Sequence, residues 1–234
     1  MRVLAIGAHP DDVEFYCGGT LARYAAEGHH VVMAHLCNGN KGGLNIEPDE
    51  LARVRDQEAR NAAAIIGAQA VGGLWGDLES YPSEEKMREV VDLIREAAPD
   101  LIFTHYPEDY MLDHNATSRL VFEAAFAASV PLFPSRVAKP IEIVPMYYMP
   151  TVAGIRFSPT EYVDITGFLE HKKQMILAHQ SQIGWLEHHH GFGELEQRVE
   201  ATARFWGMQC ECRFAEPFMA VPASGRLRAR RLLP

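Results

Sequence analysis

The chain has 234 residues, of which 47% are hydrophobic and 23% charged, and this composition excludes a disordered or collagen-like protein. With 22 basic and 31 acidic residues, the net charge of −9 argues against general binding to nucleic acid or anionic membranes. No apolar run approaches the roughly 18 residues of a membrane span, and the first residues lack the apolar region of a signal peptide. We therefore expect a cytoplasmic protein with no nucleic-acid partner and no membrane span.

Strand and helix patterns alternate through most of the chain. In order, the predicted elements are a strand over 2–8, a helix over about 12–27, a strand over 30–37, a helix over 50–66, a strand over 71–74, a helix over 84–98 and a strand over 101–105. A helix capped by Asn115, a strand over 143–149 and a helix from Thr166 to Gln182 follow. This alternation predicts an α/β fold, Rossmann-like and doubly wound, with a mainly parallel sheet and helices on both faces.

The pattern becomes less regular in the last third of the chain. We expect a single domain over 1–234, with a Rossmann-like core and metal site in about 1–130 and an irregular C-terminal extension over about 131–234. Aromatic side chains in this extension, such as Trp185 and Trp206, could cover a partner subunit. The sequence thus favours a homo-oligomer.

The segment Ala8-His9-Pro10-Asp11-Asp12 directly follows the first predicted strand. In open α/β sheets, ligands bind outside the carboxyl ends of the strands, so these side chains lie where chemistry is expected. His9 and Asp12 carry ligand atoms suited to zinc, and Asp11 between them is placed to act on a water. The alternative is that both carboxylates favour a helix start and His9 is a structural histidine.

A second acidic and histidine-containing segment, from Asp109 to His114, follows the strand that ends at His105. Because its strand also ends at the ligand-binding edge, His114 could join His9 and Asp12 around one metal. Three protein ligands and one open position are typical of a catalytic zinc site, although Fe²⁺ can occupy similar sites. Asp113 could orient an imidazole. The alternative is an ordinary helix start with a surface histidine.

Several of these segments resemble motifs of the PIG-L/LmbE family of N-acetylglucosaminyl deacetylases. The first is His9-Pro10-Asp11-Asp12, and Asp113-His114 resembles the family's His-x-Asp-His motif. Similarities extend over nearly the whole chain: they include Leu36 to Gly42 and Arg55 with Glu58 and, more weakly, His179 to Gln182 and Phe214 to Phe218.

This resemblance implies zinc-dependent hydrolysis of the amide of a small-molecule N-acetylated sugar. It implies that Asp11 is the general base and that the metal ligands are His9, Asp12 and His114. It also suggests side chains near the substrate: Arg55, Asp77, Asp113 and Tyr110.

Met111 departs from the family motif, because it replaces the first histidine of His-x-Asp-His. A thioether cannot donate a hydrogen bond to an oxyanion. We expect His179 to supply the missing donor; Tyr110, or the metal alone, are the alternatives. Two other functions remain open: a non-catalytic Rossmann-like module that binds a metal or ligand, and an amidase for a different acyl group.

Overall fold

The computed structural model describes residues 1–190, 195–229 and 231–234 of the chain. The strands are β1 (Arg2–Gly7), β2 (His30–Cys37), β3 (Gln69–Trp75), β4 (Leu101–His105), β5 (Met146–Met149), β6 (Glu161–Asp164) and β7 (Ala215–Ala220). The helices are α1 (Asp12–Ala26), α2 (Pro48–Ile65), α3 (Glu84–Ala97), α4 (Leu112–Ala127), α5 (Leu169–Leu177), α6 (Gln180–His190) and α7 (Leu195–Gln209), with a 3₁₀ turn over Val152–Gly154. Within the described ranges, no helix has the length and hydrophobicity that crossing a membrane requires.

The seven strands form one sheet in the order β3-β2-β1-β4-β5-β7-β6. The first five pair in parallel, whereas β7 runs antiparallel to both β5 and β6. The predicted α/β class with a mainly parallel sheet is thereby confirmed. The C-terminal region is more regular than its sequence pattern indicated, since it supplies three helices and, after β5, the strands β6 and β7. Both strands are short, and β7 contains Glu216 and Pro217, so neither shows a clear strand pattern.

Helices cover both faces of the sheet, as predicted. Alternate residues of β1 point to opposite faces, so Val3 and Ala5 enter one apolar core while Leu4 and Ile6 enter the other. The first core is closed by α1, α2, α5 and α7, and the second by α3 and α4. This double burial explains why the parallel strands are continuous apolar runs in the sequence.

Two predicted helix starts are wrong. The helix α4 begins at Leu112, with Met111 at the N-cap, and the Asn115 side chain instead bonds both the backbone N–H and the carbonyl of Asp109. The helix expected from Thr166 begins at Leu169, and it is divided at residues 178–179 into α5 and α6. At that break the buried side chain of His179 turns toward α1, which the sequence pattern alone does not reveal.

A buried ion pair fixes the C-terminal strand β7 to the helices of the first core. Glu216 accepts hydrogen bonds from the backbone N–H groups of Gly19 and Thr20, at 2.9 and 2.7 Å, and from the Thr20 hydroxyl. Lys172 of α5 donates to the same carboxylate and, at 2.7 Å, to the carbonyl of Phe15. All the oxygens of Glu216 are therefore engaged within the fold.

At Gly19, helix α1 packs closely against Ile165 in the segment before α5. A Cβ atom at this position would lie 2.8 to 2.9 Å from three carbon atoms of Ile165, closer than carbon atoms can pack. We expect Gly19→Ala to lower the free energy of unfolding by about 1–3 kcal/mol, measured by urea denaturation. Gly184→Ala in α6 is the control, because nothing lies within 4 Å of its new methyl group and alanine favours a helix. Equal stability of the two variants would contradict the tight packing.

Candidate active site

The carboxyl ends of β1 and β4 lie side by side, because these two strands are parallel neighbours in the sheet. The loop after β1 carries His9 and leads into α1 at Asp12, and the loop after β4 leads into α4, whose first turn carries His114. The structure brings one ligand atom of each side chain within 4.8 Å of the others. All three predicted metal ligands thus meet at one point.

The chemistry of these three side chains fits a divalent cation. One Asp12 oxygen, Oδ2, accepts from the backbone N–H groups of Ala8 and His9 at 3.0 and 2.6 Å, which fixes the carboxylate. Its other oxygen, Oδ1, lies 3.2 Å from Nε2 of His114. That nitrogen is buried and has no hydrogen-bond partner among the described residues. Two imidazoles and a carboxylate form a donor set that suits zinc, and Fe²⁺ also accepts it.

We call His9, Asp12 and His114 the triad. Each of its histidines also contacts a carboxylate outside the triad. Nε2 of His9 lies 3.1 Å from Asp113, and Nδ1 of His114 lies 3.2 Å from Asp109. Asp113 also accepts hydrogen bonds from the Ser80 hydroxyl and, at 2.8 Å, from a backbone N–H of the loop after β3. Although burial raises the pKa of Asp113, these hydrogen bonds lower it to about 2. Such carboxylates orient imidazole ligands.

The histidines carry protons when the metal is absent. Burial alone lowers the pKa of His9, but hydrogen bonds to Asp113 and Asp12 outweigh it and raise that pKa to about 10. Likewise, Asp12 and Asp109 overcome the burial of His114 and raise its pKa to about 9. A metal must displace these protons, so we expect it to bind more tightly as the pH rises.

Asp11 lies beside the triad in a strained backbone conformation. Its φ of 122° is rare for a residue with a side chain, and such strain is concentrated at functional sites. Arg55 holds this turn by donating to the carbonyls of Pro10 and Gly39, at 2.6 and 3.2 Å, and lies 3.6 Å from the Asp11 carboxylate. Burial raises the pKa of Asp11 to about 7, although the positive charge of Arg55 opposes this shift. A carboxyl group with this pKa can exchange protons at neutral pH.

A second possible ligand group combines His9 with Cys37 and Asp113. Burial raises the pKa of the Cys37 thiol far above its ordinary value, so the thiolate that would bind a metal is disfavoured. Asp113 already accepts three hydrogen bonds. The triad containing His114 therefore fits a metal better.

The predicted substrate-binding residues Tyr110 and Asp77 both line the cavity, but they differ in their contacts. Tyr110 lines the cavity and is 73% exposed, at its mouth. Asp77 also lines it, but its carboxylate accepts hydrogen bonds from backbone N–H groups of the loop after β2.

His179, the predicted oxyanion donor, is not among the residues that line the cavity, and its Nε2 lies 3.0 Å from Glu14. The Glu14 carboxylate raises the pKa of His179 in spite of its burial, and His179 in turn favours the charged form of Asp11.

Two cavity residues, Tyr16 and Gln182, were not among the predicted site residues, although Gln182 belongs to a segment that resembles the family. Tyr16 lies one turn after Asp12 on α1, and its ring packs edge-on against His105 and His114, with centroids 5.7 and 6.0 Å apart. Its hydroxyl makes no hydrogen bond in the described part of the chain, and burial raises its pKa, so it stays protonated. The i, i+4 spacing from Asp12 was the available signal. Gln182 has a buried Oε1 atom for which the described residues provide no partner.

The cavity that contains these groups has a volume of about 750 Å³. Its polar lining includes Lys41, Arg55, Asp77, Gln182, Arg198 and Thr202, and its apolar lining includes Phe15, Leu186, Leu195, Val199, Ala203 and Trp206. The three side chains of the candidate metal centre line the same cavity.

Comparison with known proteins identifies the family. The model of the PIG-L family, GlcNAc-PI de-N-acetylase, matches residues 4–125. A diacetylchitobiose deacetylase from Thermococcus kodakarensis is 28% identical over 94% of this chain and 83% of its own length. A 1D-myo-inositol 2-acetamido-2-deoxy-alpha-D-glucopyranoside deacetylase from Thermobispora bispora is 32% identical over 63% of this chain, but only 58% of its own length is covered.

A solved structure agrees with these matches. The N,N'-diacetylchitobiose deacetylase from Pyrococcus horikoshii, complexed with its inhibitor MPG, superposes with a TM-score of 0.81. It is 25% identical, and the match covers 94% of this chain and 83% of that one. The chain therefore belongs to the PIG-L family, and the relatives it matches are named as deacetylases, which are hydrolases of amide bonds.

Proposed function

We propose that this protein is a zinc- or iron-dependent deacetylase that removes the acetyl group from an N-acetylated amino sugar or its conjugate. The observation that carries the proposal is the buried Nε2 of His114, which lies 3.2 Å from Asp12 and has no hydrogen-bond partner among the described residues. The names of the relatives support the class of substrate. In this reaction water adds across the amide C–N bond, which breaks to give acetate and a free amine.

A metal held by His9, Asp12 and His114 would supply a Lewis acid that polarises the amide carbonyl and acidifies water. Asp11 is the general base: its carboxylate takes a proton from the attacking water and returns it to the departing amine. Arg55 is a positioning residue, because it holds the backbone around Asp11 through the carbonyls of Pro10 and Gly39.

The oxyanion that forms from the carbonyl also needs a protein donor. Met111 lines the cavity but offers only a thioether. Tyr16 lines the cavity and its hydroxyl makes no hydrogen bond to another described residue, so we assign it this role. His179 was the sequence-based candidate, but its hydrogen bond to Glu14 favours a positioning role near Asp11.

Metal content distinguishes the ligands from the base. We expect His9→Ala, Asp12→Ala and His114→Ala each to lose most of the bound zinc, because each removes one of three protein ligands. Asp11→Asn should keep it. Dialysis of the zinc-loaded proteins followed by elemental analysis measures this. Full zinc occupancy in folded His114→Ala would overturn the ligand assignment.

The activity itself is tested by amine release from N-acetylglucosamine and diacetylchitobiose with the zinc- or iron-loaded protein. We expect release with at least one of them, and loss of release after chelation. Stoichiometric metal binding without release from any amide would instead indicate a non-catalytic binding module. Release only from longer acyl amides would identify an amidase for a different acyl group.

A further inference from the structure

The turn that joins α7 to β7 contains two cysteines separated by one residue, Cys210 and Cys212. Glu211 between them has a φ of 59°, in the left-handed region. The backbone N–H groups of both cysteines donate to one carbonyl, that of Gly207, at 3.1 Å. The chain therefore folds back on the end of the helix, and this tight turn brings the two thiols together.

The Sγ atoms of Cys210 and Cys212 are 3.6 Å apart and touch each other directly. A disulfide bond is about 2.05 Å long, so closing one requires the two sulfurs to approach by about 1.5 Å. The Cys210 thiol donates only long hydrogen bonds, to the carbonyls of Trp206 and Gly207 at 3.5 and 3.7 Å. The Cys212 thiol donates to the carbonyl of Phe214 at 3.3 Å. Because a thiol is a weak donor, little opposes the closing movement.

The four cysteines differ in their access to solvent. Cys17 and Cys37 are completely buried, one in each apolar core. Cys210 and Cys212 are partly exposed, and Glu211 between them is exposed. A thiol reagent in solution therefore reaches this pair before it reaches either buried cysteine.

We propose that Cys210 and Cys212 form a reversible disulfide site that reacts with low-molecular-weight disulfides. The Cys210 thiolate attacks one sulfur of the disulfide R–S–S–R and displaces R–S⁻, which leaves a mixed disulfide on Cys210. The Cys212 thiolate then attacks the Cys210 sulfur and displaces the second R–S⁻. The protein loses two electrons and two protons, and the oxidant takes them up as two molecules of R–SH. This inference does not depend on the proposed deacetylation.

The surroundings of the two thiols set the order of attack. Burial and the neighbouring Cys210 sulfur raise the pKa of Cys212 to about 12, and the negative charge of Asp164 adds to this shift. The thiolate is the attacking species in thiol–disulfide exchange, so Cys210 reacts first with the oxidant. Cys212 already touches the Cys210 sulfur and is therefore in place to resolve the mixed disulfide.

The small size of the ring makes the disulfide reversible. A bond between Cys210 and Cys212 closes a loop of only three residues, so it restricts the unfolded chain less than a disulfide across a long loop. It is also partly exposed, as are the disulfides that cellular thiols reduce readily. We therefore expect excess reduced glutathione to reopen it.

Peptide mapping after treatment of the fully reduced protein with oxidised glutathione tests the site. Trypsin cuts after Arg204 and Arg213, so both cysteines fall in the peptide 205–213, apart from Cys17 and Cys37. After oxidation, denaturation and alkylation, this peptide should have lost two hydrogen atoms and should carry neither an alkyl group nor glutathione. The peptides of the buried cysteines should be alkylated. Excess reduced glutathione should restore two alkylation sites in 205–213. A peptide 205–213 that stays reduced, or that retains glutathione, would overturn the proposal.

Serine variants test the order of attack. Cys212→Ser should retain glutathione on Cys210 as a stable mixed disulfide, because the resolving thiol is absent. Cys210→Ser should react with oxidised glutathione at least tenfold more slowly than Cys212→Ser, because burial keeps Cys212 protonated. The thermal midpoint of each variant shows that it is folded. Equal reaction rates of the two folded variants would overturn the order of attack.

Two further measurements test the geometry of the pair. Phenylarsine oxide binds two adjacent thiols at once with release of water, so it should label the peptide 205–213 of the unmodified sequence and neither serine variant. Glu211→Val should slow disulfide closure at least fivefold, because a β-branched residue disfavours the positive φ of this turn. Glu211→Gly is the matched control, since glycine accepts that φ. Closure at the same rate in Glu211→Val and Glu211→Gly would overturn the geometric basis of the proposal.

Discussion

Replacement of Asp11 by Asn is expected to lower kcat by about 10² or more while the protein stays folded and keeps its metal. The loss of a general base has this scale. Asparagine has the same shape, and its amide cannot accept the proton of the attacking water. Arg55 keeps its hydrogen bonds to the backbone carbonyls of Pro10 and Gly39, so the strained turn retains its main support. The measurements are kcat, metal content and thermal midpoint.

The pH profile provides a second readout for Asp11. A base must be ionised to accept a proton, so kcat/KM should rise as the pH increases through the pKa of Asp11. That pKa is raised to about 7 by burial in the metal-free protein, and a bound cation would lower it, so the acidic limb should lie at or below pH 7. Asp11→Asn should lose this limb.

Asp56→Asn is the matched control for this experiment. Asp56 lies on α2 and pairs with Arg60 at the surface, so its replacement should leave kcat and the pH profile unchanged. Near-normal turnover by a folded, metallated Asp11→Asn variant would assign the base to another residue. A drop in metal content instead of kcat would show that Asp11 supports the ligands.

Much of the site was predictable because it depends on strand ends. The apolar runs of β1 and β4 define where each strand ends, and parallel pairing then brings the following loops together. His9, Asp12 and His114 could be placed in this way from local sequence alone. The match of these loops to family motifs led to the same residues.

The remaining features depend on contacts that local sequence does not encode. The break before α6 accompanies a hydrogen bond between His179 and Glu14, which are 165 positions apart in the chain. The strand β7 contains a charged residue and a proline, and it is held by the pairing of Glu216 with Lys172. The cavity is lined by residues from α1, α6, α7 and the loops after β1 and β4, so no single segment of the sequence reveals it. Tyr16 was overlooked because an aromatic residue within a helix usually indicates a core position.

Tyr16→Phe is expected to lower kcat by about 10²–10³, the usual cost of removing one donor to an oxyanion. The change removes a single oxygen, and the ring can keep its edge-on packing against His105 and His114. The oxyanion exists only after water has attacked the amide, so the loss should appear in kcat and leave KM nearly unchanged. Tyr81→Phe is the control, because Tyr81 is 61% exposed and outside the lining described for the cavity.

A second substitution tests whether Tyr16 compensates for the methionine in the family motif. Met111→His restores a donor at the start of α4, so adding it to the Tyr16→Phe variant should raise kcat at least tenfold. The same change should have a small effect when Tyr16 is present, because the oxyanion already has its protein donor. His179→Ala tests the alternative: if His179 only positions Asp11, the variant should shift the acidic limb of the pH profile more than it lowers the maximal rate. A full loss of kcat in His179→Ala at normal metal content and stability, together with an active Tyr16→Phe variant, would assign the donor to His179 instead.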